Sequence, residues 1–465
     1  MTIPVWGLIP FVAMLLCIAI IPLIPALSHF WERPRNQLVI ALLLGIPVAL
    51  WMITGEGPSS VYHALFEYFQ FIALLLALFI VSGGIHLKGD IAATPRNNSI
   101  FLAIGGCIAS FIGTTGAAML LIRPILKTNS ERKYVAHTVI FTILIVANCG
   151  GLLTPLGDPP LFLGMLRGVP FTWTMHLVPE WFTVNAMLLL SYYALDRRFY
   201  AKESLTDLQR DDTRRETLRV LGGLNFVFFA MIIAAVALAP SVDLHAIEAG
   251  HATVLDWIPV RELIMFAAAL GSFLCTKKEV RFGLNQYTWA PILEVAALFV
   301  GIFLTMIPAL RYLGQVAPHL KLNEMSFYFL TGGLSSVLDN APTYATFFEI
   351  ASNLPGEPRV ADVPEVYLVA ISAGAVFFGA MTYIGNGPNF MVKSVAESSG
   401  VSMPSFGGYI VRTLEYLLPT LVAAGGLFVA TSWTWRLIGI AAALFVVGHA
   451  LFLLLRSLPE HDVAS

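Results

Sequence analysis

Asn148-Cys149-Gly150-Gly151-Leu152-Leu153-Thr154-Pro155-Leu156-Gly157-Asp158-Pro159-Pro160-Leu161 interrupts an apolar run that extends from Tyr134 to Leu166. The run is long enough to cross a bilayer, yet its middle holds three prolines, three glycines and an aspartate. No helix passes through such a stretch unbroken. Each proline removes an amide donor and clashes with a preceding carbonyl, and the glycines let the backbone unwind. In hydrocarbon, irregular backbone is tolerated only where protein buries it or where it lines a wet cavity. The stretch therefore marks a place where something polar is bound.

Composition sets the class. Of 465 residues, 57% are hydrophobic and only 12% charged, too few charges to cover a soluble globule of this size. The chain reads as an all-α polytopic membrane protein. A formal charge of -2 supplies no basic field for nucleic acid, which is excluded as a partner. Membrane lipid is the expected surroundings. Cys17, Cys107, Cys149 and Cys275 have neither metal-ligand nor disulfide spacing. Nothing matches a phosphate-binding loop, a zinc helix or a nucleophile elbow, so the chain is not expected to be an enzyme.

Apolar runs of spanning length lie near residues 4 to 27, 37 to 54, 67 to 86, 134 to 166, 172 to 195, 219 to 240, 257 to 275, 290 to 310, 365 to 395, 408 to 430 and 434 to 455. They predict about 11 spanning helices. Two further runs, 98 to 126 and 324 to 351, break at Gly113-Thr114-Thr115-Gly116 and at Asp339-Asn340-Ala341-Pro342. Each is too short for two spans and awkward as one, which favours a re-entrant hairpin with a polar tip inside the membrane.

Basic residues cluster at Arg33 and Arg35, Lys88 and Arg96, Arg123 to Lys133, the 196 to 219 segment, and Lys277 to Arg281. All of these share the cytoplasmic side only if the first hairpin enters and leaves on one face. That sets the N-terminus outside, the C-terminus inside, and the segment 241 to 256, without lysine or arginine, outside.

The elements repeat. A first repeat (1–195) contains the hairpin 98–126 and the broken helix 134–166. A charged cytoplasmic linker (196–218) separates it from a second repeat (219–430) with hairpin 324–351 and broken helix 365–395, and 431–465 forms an extra C-terminal helix and tail. Because an odd number of crossings separates equivalent elements, the second copy is inverted. Gly157-Asp158-Pro159-Pro160-Leu161-Phe162 is matched by Gly385-Asn386-Gly387-Pro388-Asn389-Phe390. Two tips and two broken helices then converge near the midplane on one site. The site residues expected from this plan are Thr114, Thr115, Asn148, Thr154, Asp158, Asp339, Asn340, Thr382, Asn386 and Asn389.

This order of hairpin, broken helix, linker, hairpin and broken helix, with Leu152-Leu153-Thr154-Pro155-Leu156-Gly157-Asp158-Pro159 and Ser336-Val337-Leu338-Asp339-Asn340-Ala341-Pro342, resembles the ion transporter superfamily. The chain is similar there to NhaD-type sodium/proton antiporters and to the related citrate-transporter-like proteins. The resemblance implies secondary active transport by alternating access in a bacterial cytoplasmic (inner) membrane, and a scaffold that forms a homodimer. Carboxylate-transporting members carry Ser-Asn-Thr at both tips. The tips here differ, which turns the expectation toward exchange of sodium, or lithium, for protons, with coupled transport of citrate or another organic anion as the alternative.

The residue chemistry agrees with a cation. Asp158 and Asp339 would be sodium ligands and proton carriers, with Glu294 a third proton-coupling candidate, and no other cofactor is expected. The competing reading is that both aspartates cap helix starts. Glu294 and Lys393 also read as residues of membrane boundaries or helix ends, and the histidines as interface or loop residues.

Overall fold

The computed structural model describes residues 2–31, 33–204, 206, 211 and 216–456. The expected linker, 196–218, lies partly outside the described residues, at 205, 207–210 and 212–215. The chain is an all-α polytopic membrane protein to which two short antiparallel ribbons are added. In one, β1 (His86–Asp90) pairs with β2 (Glu216–Leu221); in the other, β3 (Arg359–Val360) pairs with β4 (Val363–Pro364).

Among the described residues, six helices are long and apolar enough to cross a membrane: Pro34–Glu56, Ser59–Ser82, Ala136–Leu153, Ala290–His319, Phe406–Val429 and Trp433–Arg456. The other apolar runs are shorter or broken, such as Val5–Ile20, Asn225–Leu238 and Glu365–Met381, or, in Val178–Tyr200, carry charges near both ends. The helices used below are α1 (Pro34–Glu56), α2 (Ser59–Ser82), α3 (Pro95–Ile112), α4 (Thr114–Thr128), α5 (Ala136–Phe141), α6 (Pro159–Leu166) and α7 (Val178–Tyr200) in the first part of the chain. In the second part they are α8 (Val260–Cys275), α9 (Ala290–Val316), α10 (Glu324–Ser335), α11 (Asn340–Ser352), α12 (Glu365–Phe378), α13 (Gly387–Ser398), α14 (Phe406–Ala424) and α15 (Trp433–Arg456).

One wall of the molecule is built by α1 and α2 against α9 and α8. Small residues let α1 and α9 touch: a Cβ on Gly301 would lie 2.7 Å from Ala41 backbone. Such close approach is the usual source of helix association where no water drives it. The outward faces of α1 and α15 keep leucine, isoleucine and phenylalanine exposed, as lipid-facing surfaces do.

Each of the two broken runs divides into two helices at its polar interruption. The run 98 to 126 becomes α3 and α4, which pack together around Gly113. Its φ of 83° is left-handed, a conformation that favours glycine. The run 324 to 351 becomes α10 and α11, parted at residues 336 to 339. The parts of the chain also interlock. Helix α4 packs on α13, and α6 packs on α11, so each second arm meets the broken helix of the other part. The candidate site lies at this crossing.

Candidate functional site

The opening stretch unwinds in steps. After α5 the helix widens to a π-turn over Thr142–Val146, and a 3-10 turn spans Cys149–Leu153. Thr154 is extended, and Asp158, at φ -145° and ψ 142°, immediately precedes α6. Pro159 opens that helix, where a missing amide proton costs nothing. The later break repeats the sequence of conformations. A 3-10 turn at Gly379–Met381 is followed by extended Thr382 and then by Asn386 at φ -151° and ψ 140°, ahead of α13.

The same side chains hold both breaks open. Thr154 Oγ1 donates to the Ser110 carbonyl and accepts from the Leu156 amide; Thr382 Oγ1 donates to the Ser336 carbonyl and accepts from Ile384 and Gly385 amides. Ser110 donates to the Gly150 carbonyl at 2.5 Å and Ser335 to the Ala375 carbonyl at 2.7 Å. Thr174 and Thr413 each donate at 2.9 Å to the carbonyl just before the threonine of the break, Leu153 and Met381. Two loops also close on glycine. A Cβ on Gly157 would lie 2.1 Å from the Gly151 carbonyl oxygen, and one on Gly385 2.6 Å from that of Gly379.

Between the breaks, Asp158 is the hub of a buried network. Its Oδ1 accepts from Thr114 Oγ1 at 3.0 Å and from Asn386 Nδ2 at 3.2 Å; its Oδ2 accepts from Asn340 Nδ2 at 2.6 Å. Asn386 Nδ2 also donates to Asn148 Oδ1 at 3.1 Å. Asn148 Nδ2 in turn donates to Asn389 Oδ1 at 2.7 Å, and Asn389 Nδ2 donates to the Gly379 and Thr382 carbonyls at 2.8 and 2.9 Å. Thr114, Asn148, Asp158, Asn340, Asn386 and Asn389 are all buried, none more than 5% exposed.

Two consequences follow from this geometry. Among the described residues no lysine or arginine pairs with Asp158, so only neutral donors offset the cost of burying its carboxylate, which is several kcal/mol for an uncompensated ion. Further, four helices begin at the hub: Thr114 opens α4, Asp158 precedes α6, Asn340 opens α11 and Asn386 precedes α13. Each start presents roughly +0.5 of a charge, which makes the crossing favourable to negative groups. Asn340 Oδ1, on the side chain that donates to the carboxylate, is buried with no hydrogen-bond partner among the described residues.

Six of the ten expected site residues meet here, and four do not. Thr154 and Thr382 are spent on the breaks. Thr115 is half-buried outside the network. Asp339 caps α11, its Oδ1 accepting from the Ala341 amide at 3.2 Å, and is partly exposed. The capping reading therefore describes Asp339, whereas Asp158 makes no side-chain cap bond. Glu294 is exposed and accepts from Gln37 Nε2 at 2.8 Å on α1, apart from the hub. Lys393 pairs with Glu397 at 2.7 Å on the outer turns of α13. Sequence reading missed Ser110 and Ser335. Their common position, a few residues before each tip, was the available sign.

Residues 1–429 match the family described as "Putative citrate transport". The chain belongs to that family. It is similar to a "46 kDa membrane protein" of Mycobacterium leprae, 24% identical over 420 residues, covering 85% of this chain and 93% of the relative. Proteins named "Uncharacterized transporter" in Mycobacterium bovis and Mycobacterium tuberculosis are each 24% identical over 394 residues, 78% of this chain and 87% of theirs. The protein is thus a membrane transport protein rather than a catalyst, and a citrate-transporter-like one. NhaD-type identity has no such support.

Proposed function

We propose that this protein is a secondary active transporter that carries citrate or another organic anion, coupled to sodium or protons at Asp158. The observation that carries this reading is the meeting of four helix starts on one buried carboxylate. Their combined partial charge of about +2 exceeds the single charge of Asp158, so the crossing attracts carboxylate groups, more so once a cation or proton neutralises the aspartate. The family match favours the same substrate class.

The finer architecture belongs to this proposal. Residues 1–195 and 219–430 are inverted repeats joined by a cytoplasmic linker, with 431–465 appended. The α3–α4 and α10–α11 pairs are re-entrant hairpins entering from opposite faces of the inner membrane, the N-terminus outside and the C-terminus inside. The hairpins and broken helices move as one body against the wall of α1, α2, α8 and α9, giving alternating access.

Sodium/proton exchange is the second reading. It is favoured by the buried Asp158 carboxylate with a spare oxygen, Asn340 Oδ1, beside it. Flux in proteoliposomes separates the two. The proposal expects citrate counterflow that accelerates with an imposed sodium or proton gradient. Sodium-driven proton flux with no organic anion present, and no citrate counterflow, would replace it with the exchanger.

A further inference from the structure

A cavity of about 860 Å³ lies away from Asp158, at the opposite ends of α4 and α13, two of the four helices that start at the hub. Its lining includes the last turn of α4 and the residues that follow α13, while Thr114 and Asn386 sit at the other ends of those helices. With 15 residues, α4 puts the two places about 22 Å apart along its axis. Arg123, Lys127, Arg132, Lys133 and Arg412 line the cavity, and among the described residues no aspartate or glutamate does.

Not all of these cations need a ligand to explain them. Arg132 is buried in the floor, bonded to Asp196 at 2.6 Å, and Lys127 meets Glu216 at 2.9 Å near the end of α4, where a helix C-terminus favours a cation. Arg123, Lys133 and Arg412 are different. Arg123 sits mid-helix and, among the described residues, donates only to the neutral Gln286, at 3.2 Å. Lys133 is exposed on a loop with its ammonium over the Tyr134 ring; its backbone amide donates to the Glu203 carboxylate at 3.0 Å, but among the described residues its ammonium has no carboxylate partner. Arg412 lies in the second turn of α14, where the helix dipole gives a cation nothing, and its pairing with Glu415 is an exposed one of little worth. Three cations from three separate elements thus face one cavity, and among the described residues none of them is held by a buried ion pair.

From this convergence we propose that the cavity is a second anion-binding site, which takes up a polycarboxylate of the transported class before it reaches Asp158. The transported class rests on the organic-anion reading above. A volume of this order suits a small ligand, and a concave surface of one sign raises the local concentration of its counter-ion about 10-fold or more. Arginine forks match carboxylates in pairs, and Lys133 adds a movable charge at the rim.

The test uses the full chain in nanodiscs of zwitterionic lipid. Cys107 and Cys275, the exposed thiols, are replaced by serine, and Ser130→Cys at the rim carries an environment-sensitive fluorophore. Citrate is titrated against chloride at matched ionic strength. A saturable citrate shift is expected, with half-saturation raised about tenfold in Arg123→Gln/Lys133→Gln/Arg412→Gln and unchanged in Asp158→Asn. Should the triple variant not fold, Lys133→Gln alone, on an exposed loop, still raises half-saturation several-fold. No saturable shift, a shift that survives these changes, or one obtained only when phosphatidylglycerol is added overturns the proposal; the last would assign the cavity to a lipid headgroup. Citrate binding here without citrate flux would leave the site standing and remove the transport reading. Citrate flux without binding here would do the reverse.

Discussion

The break around Asp158 and the break around Asn386 have one backbone and two chemistries. Both place a 3-10 turn, an extended threonine, a glycine loop and a proline-opened helix in the same order, with matching threonine and serine hydrogen bonds. At equivalent places, however, the first part supplies Thr114 and the Asp158 carboxylate, and the second supplies the amides of Asn340 and Asn386. A two-fold scaffold therefore carries a one-sided charge. In the proposed transport cycle this asymmetry divides the labour: the first part would hold the coupling cation or proton, and the second would supply donors that orient carboxylates. Breaking that asymmetry should have the largest effect.

Asp158→Asn should lower citrate counterflow at least about 10-fold, because it removes the one carboxylate proposed to take the coupling cation or proton and weakens hydrogen bonds to a charged group worth about 1.5 to 3 kcal/mol each. Insertion and gel-filtration behaviour should stay intact. The sharper form moves the charge. Because Asn386 Nδ2 is 3.2 Å from Asp158 Oδ1, Asp158→Asn/Asn386→Asp returns a carboxylate to nearly the same point from the other part. Partial recovery of counterflow is expected, and none at all would mean that the charge serves only on the α6 side.

Stability tests the shared backbone instead. Gly157→Ala and Gly385→Ala both drive a methyl into a carbonyl oxygen, at 2.1 and 2.6 Å. Each should cost about 1 to 3 kcal/mol, with Gly157→Ala the more damaging, read as a lower melting temperature in detergent. Thr154→Val and Thr382→Val remove equivalent bonds and should cost about 1 kcal/mol each. A large inequality between those two would mean that the breaks are not equivalent structures.

Much of this was legible before any coordinates. Prolines 155, 159 and 160 with three glycines forced the first break, and Gly385-Asn386-Gly387-Pro388 forced its counterpart, because no helix accommodates them. The polar tips at 113 to 116 and 339 to 342 were equally plain. Which polar residue faces the hub was not. Thr114 and Thr115 are adjacent and alike, yet only Thr114 reaches Asp158, a matter of the turn at Gly113 that composition does not encode. Thr154 and Thr382 read as ligands from their place beside the breaks, but their hydroxyls satisfy backbone groups that unwinding leaves without partners. The two tip sequences and the aspartates Asp158 and Asp339 point toward a cation, whereas the family match runs through the whole of residues 1–429 and favours the organic anion.

Asp339 is the smallest expected effect and the closest check on the comparison. In sequence it mirrors Asp158 as a second intramembrane aspartate, and if charge were shared between the two parts it would be the natural second carrier. In the fold it occupies the place of Gly113, one residue before the start of its helix, and accepts from the Ala341 amide at 3.2 Å instead of joining the hub. Asparagine caps a helix about as well as aspartate does. Asp339→Asn should therefore leave counterflow within about twofold of the parent and shift stability by only a few tenths of a kcal/mol, roughly the difference between two good caps. Asp339→Ala, which removes the cap, should cost about 1 kcal/mol in melting while still transporting. If Asp339→Asn instead abolished coupling as Asp158→Asn is expected to, the charge would be two-sided after all, and the second part would carry a cation of its own.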